Sequence, residues 1–213
     1  MNLSNTFMLE KKYHWTGILI EPTRIFEKLK INRPDCITVN VCIASERKIV
    51  NLFEVYDRGQ IGDNLLLSTV REDLDIQNGV EVNSEWGVFE RAYQQEAFPL
   101  SEILNKCNAP KVIDYFSLDV EGYEYDILKN FPFQDYTFLC IGIERPPKEL
   151  CKLLLDNGYK LITNVACDEM YLHKNIGRFL LYRIIIIGLI SKLMNLVKTL
   201  PFSIGKGKSK TIL

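Results

Sequence analysis

Four carboxylates in this chain stand where an apolar run stops. Glu21 follows Ile18-Leu19-Ile20 and precedes Pro22. Asp119 and Glu121 close the run that starts at Val112, and Glu144 closes the run from Phe138 to Ile143. A carboxylate at the end of a buried strand can serve a ligand's hydroxyls, a cation or a proton transfer. Glu21 has two acceptor oxygens in the position used for a ribose diol in dinucleotide sites. The alternative is a surface acid before a turn. Asp119-Val120-Glu121-Gly122 is sharper. Two acids two residues apart point the same way if the chain is extended, and Gly122 permits a tight turn into the next helix. Such a pair calls for a hard cation such as Mg²⁺, or for one raised pKa serving as general base. Alternatively the acids only cap the helix opened by Glu124, where an acid suits the dipole. Glu144 joins the same crevice if its strand lies beside that of Asp119, and Arg145 can neutralise it.

Other chemistries lack support. His14 and His173 are too few and too far apart for zinc, and the six cysteines form no C-x-x-C pair. No G-x-S-x-G, Walker loop or G-x-G-x-x-G is present. The cysteines read as small buried hydrophobes in a reducing compartment.

The elements that must position these acids alternate along the chain. Helices are expected at Ser4–His14, capped by Ser4, and at Thr23–Lys30, Leu100–Cys107, Glu124–Asn130 and Lys148–Asn157. Strands are expected at Gly17–Pro22, Ile37–Ala44, Ile49–Tyr56, Val112–Val120, Phe138–Ile143, Tyr159–Val165 and Met170–His173. Asp57–Gly79 reads as a long surface excursion. Apolar strands without period-two alternation, separated by helices, predict an α/β, doubly wound and mainly parallel sheet. In such a sheet ligands bind beyond the carboxyl ends of the strands.

The chain has 213 residues, 47% apolar and 25% charged, with a net charge of −1. That composition is globular and excludes disorder and collagen. The charge is split. From Lys174 onward there are eight Lys or Arg and no acid, which leaves residues 1–173 with 18 basic and 27 acidic groups. An acidic body does not suit nucleic acid. The apolar stretch Phe179–Val197 is broken by Arg183 and Lys192, so it falls short of the roughly 20 apolar residues of a spanning helix. It reads instead as a basic amphipathic helix followed by the basic tail Gly205–Lys210. Residues 179–210 would then make peripheral contact with an anionic membrane surface, or dock on the acidic body. The expected location is intracellular, cytoplasmic or peripheral at a membrane surface.

The runs SNTFMLEKKYHWTGILIEP (Ser4 to Pro22) and VIDYFSLDVEGYEYDILKNF (Val112 to Phe131) resemble the FkbM family of S-adenosylmethionine-dependent methyltransferases. ITVNVCIA, FPLSEIL, LLLDNGYKLI and CDEMYLHKN add to the likeness, which covers residues 3–176. The D-V-E-G-Y-E motif is its most specific part. The resemblance implies a class I methyltransferase fold: a Rossmann-like, mostly parallel sheet with an antiparallel last strand. It implies that Glu21 binds the cofactor ribose, that Asn40 lies near the adenine, and that Asp119 and Glu121 lie beside the transferred methyl. By looser analogy with sugar O-methyltransferases, Asp119 and Glu144 hold Mg²⁺ or supply the base. The implied reaction is methylation of a hydroxyl on a sugar or small-molecule acceptor. Residues 1–176 would form the methyltransferase domain and 177–213 the basic helix and tail.

The family opens with a central strand and a glycine-rich D-x-G-A-x-x-G loop before the S-N-T helix. Here Met1 stands three residues before Ser4. The expectation is a truncated domain, incomplete at the N-terminus, with a gap of roughly 9–10 Å between the Glu21 and Asp119 strands. The two halves would close up or leave open strand edges. The competing readings are a non-catalytic module held at a membrane, and a metal-dependent glycosyltransferase using Asp119-x-Glu121.

Overall fold

The structure, a computed structural model, describes residues 4–56, 65–70, 83–84, 87–177 and 211–212. Two sheets organise these residues. The larger has the strand order β10 (Tyr159–Val165), β11 (Asp168–His173), β9 (Thr137–Glu144), β8 (Val112–Leu118), β12 (Thr211–Ile212), β1 (Thr16–Ile20) and β2 (Ile37–Val39). From β9 to β2 neighbouring strands run parallel, while β11 is antiparallel to both β9 and β10.

The centre of this sheet is buried on both sides, as its continuous apolar strands require. In β9 every residue from Phe138 to Ile143 is buried. Tyr115 and Phe116 are adjacent in β8 yet belong to separate clusters, because successive strand side chains point to opposite faces. The Phe116 cluster is covered by α3 (Leu100–Lys106), α4 (Glu124–Leu128) and α5 (Lys148–Asp156), through Leu104, Leu128, Leu150 and Leu154. Phe138 stacks on Phe116 at 4.5 Å and on Phe131 at 5.2 Å. Against Tyr115, Cys140 and Met170 pack Leu9 of α1 (Phe7–Tyr13) and Trp15.

The single sheet predicted from sequence is corrected to two. ITVNVCIA does not form one strand: it breaks at Asn40–Val41, β2 stays in the main sheet, and β3 (Cys42–Ala44) enters the second. That sheet has the order β3, β7 (Gly87–Pro99), β4 (Lys48–Tyr56), β5 (Leu65–Val70), with β6 (Asn83–Ser84) on β7. β4 and β7 are antiparallel from Lys48↔Ala97 to Tyr56↔Val88. The excursion after Tyr56 thus contains at least one strand, β5. β7 was missed because Glu90, Arg91, Gln94, Gln95 and Glu96 hide any apolar run.

The expected central gap is bridged only in part: β12 lies between β1 and β8 at Thr16–Gly17 and Tyr115, and beyond those residues the facing edges of β1 and β8 share no ladder among the described residues. The amphipathic helix expected at Phe179–Val197 and the tail Gly205–Lys210 lie outside the described residues. Among the described residues, no helix is long and apolar enough to cross a membrane. All six cysteines are free thiols, and Cys42 and Cys140 are buried.

Candidate active site

β1 delivers Glu21 to the edge of a cavity, and local hydrogen bonds hold it there. Its N–H donates to Val39 O at 3.1 Å. Its Oε1 accepts from the Thr23 N–H at 2.9 Å and from the Thr23 hydroxyl at 2.6 Å. The Asn40 amide donates to the Glu21 carbonyl at 2.7 Å. Asn40 therefore steadies the loop that carries Glu21, and it is not among the residues lining the cavity. One step on, Arg24 N–H donates to Glu54 Oε1 at 3.3 Å, tying the loop to the second sheet.

β8 ends at Leu118, and the next residues turn sharply. Glu121 takes φ 57° and Gly122 φ 103°. A non-glycine residue at positive φ is uncommon and collects at functional sites. The turn is held from inside by buried Glu124, whose Oε1 accepts from Val120 N–H at 3.3 Å and Gly122 N–H at 3.1 Å. It is held from outside by the Thr69 hydroxyl of β5, which donates to Glu121 O at 3.0 Å. The extended Asp119–Glu121 pair expected from spacing is thus replaced by a left-handed kink. Glu144 ends β9 beside them. Arg145 follows with φ 42° and a guanidinium nitrogen 3.4 Å from the Glu144 carboxylate. One oxygen from each of Asp119, Glu121 and Glu144 lies within 4.8 Å of the others.

A cavity of about 780 Å³ joins Glu21 to this acid cluster. That volume is within the range of small-molecule sites, about 300–1,000 Å³. Burial and the neighbouring Glu144 push the Glu121 carboxyl above its ordinary range, against the pull of Arg145. A group so shifted suits a general base. The Glu21 carboxylate has one oxygen engaged by Thr23 and a second with no hydrogen bond among the described residues, so it fits a ribose hydroxyl. The three acids have the donor chemistry for a hard cation, although Arg145 already offsets part of their charge.

A family model for the methyltransferase FkbM domain matches residues 2–161. The chain belongs to the FkbM methyltransferase family. No curated protein and no solved structure matches it. Membership makes methyl transfer the reaction class of this FkbM chain, with S-adenosylmethionine the methyl donor such families use in general.

The cavity brings together Glu21, Asp119, Glu121 and Glu144, and its lining holds further residues that the sequence did not single out. Asn5, in the S-N-T run before α1, lines it and donates to Ser117 Oγ at 3.2 Å. Ser4, the expected cap, instead accepts from Arg33 at 3.2 Å, and the N-cap position falls on Thr6. Asp168, also in the lining and buried, pairs across strands with Glu144. Ser68 Oγ lies in the lining, buried and without a hydrogen-bond partner among the described residues. Asp168 was visible in CDEMYLHKN as an acid opening an apolar strand. Ser68 carried no signal.

Proposed function

We propose that this FkbM-family chain transfers a methyl group from S-adenosylmethionine to a hydroxyl of a sugar or other small-molecule acceptor. The observation that carries the reading is the acid cluster sharing one cavity with the strand-end Glu21. When bound, the cofactor supplies an electrophilic methyl on a sulfonium. Glu21 accepts a hydrogen bond from its ribose, and Asn40 holds the Glu21 loop in place. Asp119 and Glu121 lie on the acceptor side. Glu121 would take the proton of the acceptor hydroxyl and Asp119 would orient that hydroxyl, while the bound cofactor would give up its methyl to the oxygen and leave as the neutral thioether S-adenosylhomocysteine. Ser68 offers the acceptor a further hydrogen bond.

A second reading places Mg²⁺ on Asp119 and Glu144, favoured by the 4.8 Å convergence of the three carboxylates. A cation there would lower the acceptor hydroxyl's pKa. Family membership favours methyl transfer over the glycosyltransferase reading. Peripheral membrane contact through residues 179–210 stays a separate proposal, tested by liposome binding of Lys192→Glu and Lys198→Glu. The main test is turnover against an acceptor panel with and without chelator. Asp119→Asn should abolish methyl transfer in a folded chain, and full activity in that variant would remove Asp119 from the mechanism. Loss of activity on chelation, restored by Mg²⁺, would select the second reading.

A further inference from the structure

The cavity is one-sided in charge. Glu21, Asp119, Glu121, Glu144 and Asp168 line it, and among the described residues no Lys, Arg or His does. Arg145 stands beside two lining residues, 3.4 Å from the Glu144 carboxylate and 3.6 Å from the Cys167 sulfur. A cleft lined by one sign of charge gathers the opposite sign and repels its own. The second sheet adds hydrogen-bond acceptors to this lining. Leu52 and Glu54 share one face of β4, and Val70 and Ser68 stand opposite them in β5. Leu52, Val70 and Ser68 line the cavity. Glu54 is 1% exposed. Its Oε1 accepts from the Arg24 N–H and, at 3.1 Å, from the Tyr93 hydroxyl. Its Oε2 lies 3.5 Å from Arg24 Nε, yet neither this oxygen nor Ser68 Oγ makes a hydrogen bond among the described residues. Buried oxygens without a donor are uncommon, and these two call for donors from a ligand.

We infer that the methyl acceptor is a hydroxyl compound carrying an ammonium group, and that the cavity rejects acceptors bearing phosphate or carboxylate. This rests on the methyl-transfer reading and narrows it. An ammonium offers three N–H donors and no acceptor, which suits a lining rich in carboxylate oxygens. A phosphate or carboxylate sets oxygen against oxygen, and like charges brought together cost several-fold to many-fold in affinity. Bound cofactor leaves this sign unchanged: its sulfonium and ammonium against one carboxylate give a single net positive charge, beside five lining acids. Glu144 and Asp168 are cross-strand partners on β9 and β11, and the proton transfer uses neither. They are where the ammonium rests, while Ser68 and Glu54 on the second sheet receive donors from the acceptor's hydroxyls.

The experiment compares three methyl glucosides that differ at one carbon, which carries an aminomethyl, a hydroxymethyl or a carboxylate group. Each is titrated into the 213-residue chain with and without S-adenosylhomocysteine, in chelator so that no divalent cation competes for the acids. Ligand-observed nuclear magnetic resonance reads the binding. The expected result is affinity at least about tenfold higher for the aminomethyl sugar than for the hydroxymethyl one, with no binding of the carboxylate sugar. Asp168→Asn should cut that preference at least about threefold and leave the hydroxymethyl sugar's affinity unchanged, with the fold intact by circular dichroism. Equal or tighter binding of the carboxylate sugar overturns the inference. So does a folded Asp168→Asn chain with the preference of the wild type. Absence of binding by all three sugars, in a chain that binds S-adenosylhomocysteine, overturns it and leaves the methyl-donor reading standing. An ammonium preference in a chain that does not bind S-adenosylhomocysteine upholds the charge selection and contradicts the methyl-donor reading, so the two failures are distinct.

Discussion

Glu121 is the residue on which the proposed chemistry turns, and its environment sets its behaviour. Burial and Glu144 raise its carboxyl above the ordinary range. The folded state therefore holds this proton more tightly than the unfolded chain does. Its contribution to stability is present at low pH and is lost as pH rises through the folded pKa. For turnover the sign is opposite, since a general base must be ionised. The acid limb of kcat/KM should lie above the ordinary glutamate value of about 4.3. Glu144→Gln should move that limb to lower pH, and a pH–rate profile of both chains checks it. Glu121→Gln should lower kcat by about 10²–10⁴-fold, with the fold intact by circular dichroism. Gly122 tests the kink itself. A Cβ there meets nothing within 4 Å, so Gly122→Ala costs only its φ of 103°, about 1–3 kcal/mol in chemical denaturation. At this scale the acids were legible because each ends an apolar run. The roles of Asn40 and Glu124 were not, because a hydrogen bond to a backbone group depends on how the turn closes.

The elements that place these residues depend on a buried ion pair. Arg33, at the end of α2 (Phe26–Asn32), donates through Nε to Glu10 of α1, and both residues are 3% exposed. Arg33 also reaches Thr6 Oγ1 at 3.2 Å, so it anchors the turn that carries Asn5. Burial pushes the Glu10 carboxyl up, but donors from Lys11, Arg33 and Cys36 outweigh it and hold the pKa below the ordinary value. The stability from this pair is present above the unfolded carboxyl's pKa and is lost as pH falls through the folded one. Arg33→Met should destabilise the chain by about 1–3 kcal/mol at neutral pH, because it removes one buried partner of Glu10 and leaves Lys11 and the Cys36 thiol to hold the carboxylate. The deficit should shrink on acidification, as urea titrations across pH would read. In β9, a Cβ on Gly142 would meet Tyr115 Oη at 2.7 Å and Met170 Sδ at 3.1 Å. Gly142→Ala should therefore cost about 1–3 kcal/mol by overpacking. Helices α1, α3 and α5 and strands β8 and β9 were legible from apolar runs and punctuation. β7 was not, since its stability comes from pairing with β4 and β3 rather than from its own composition.

At the scale of the molecule, two sheets meet over one cavity. The main sheet supplies the strand-end acids, and the second supplies Ser68 and the Thr69 hydrogen bond to the Glu121 turn. Only the first sheet was legible. The second depends on Asn40–Val41 breaking an apolar run, and on a return strand paired across an excursion of some thirty residues. The placement of Thr211–Ile212 was hidden for the same reason: two residues carry no periodicity, and only the room between β1 and β8 gives them a place. The central claim is that this cavity binds the methyl donor through Glu21. It is tested most directly by calorimetric titration of the 213-residue chain with S-adenosylhomocysteine, the product form of the cofactor, beside Glu21→Ala. The account predicts one site of about micromolar affinity in the wild-type chain. It predicts binding at least about tenfold weaker in the variant, the loss of more than 1.4 kcal/mol. A folded wild-type chain that releases no heat and shows no saturation would contradict it, as would unchanged affinity in Glu21→Ala.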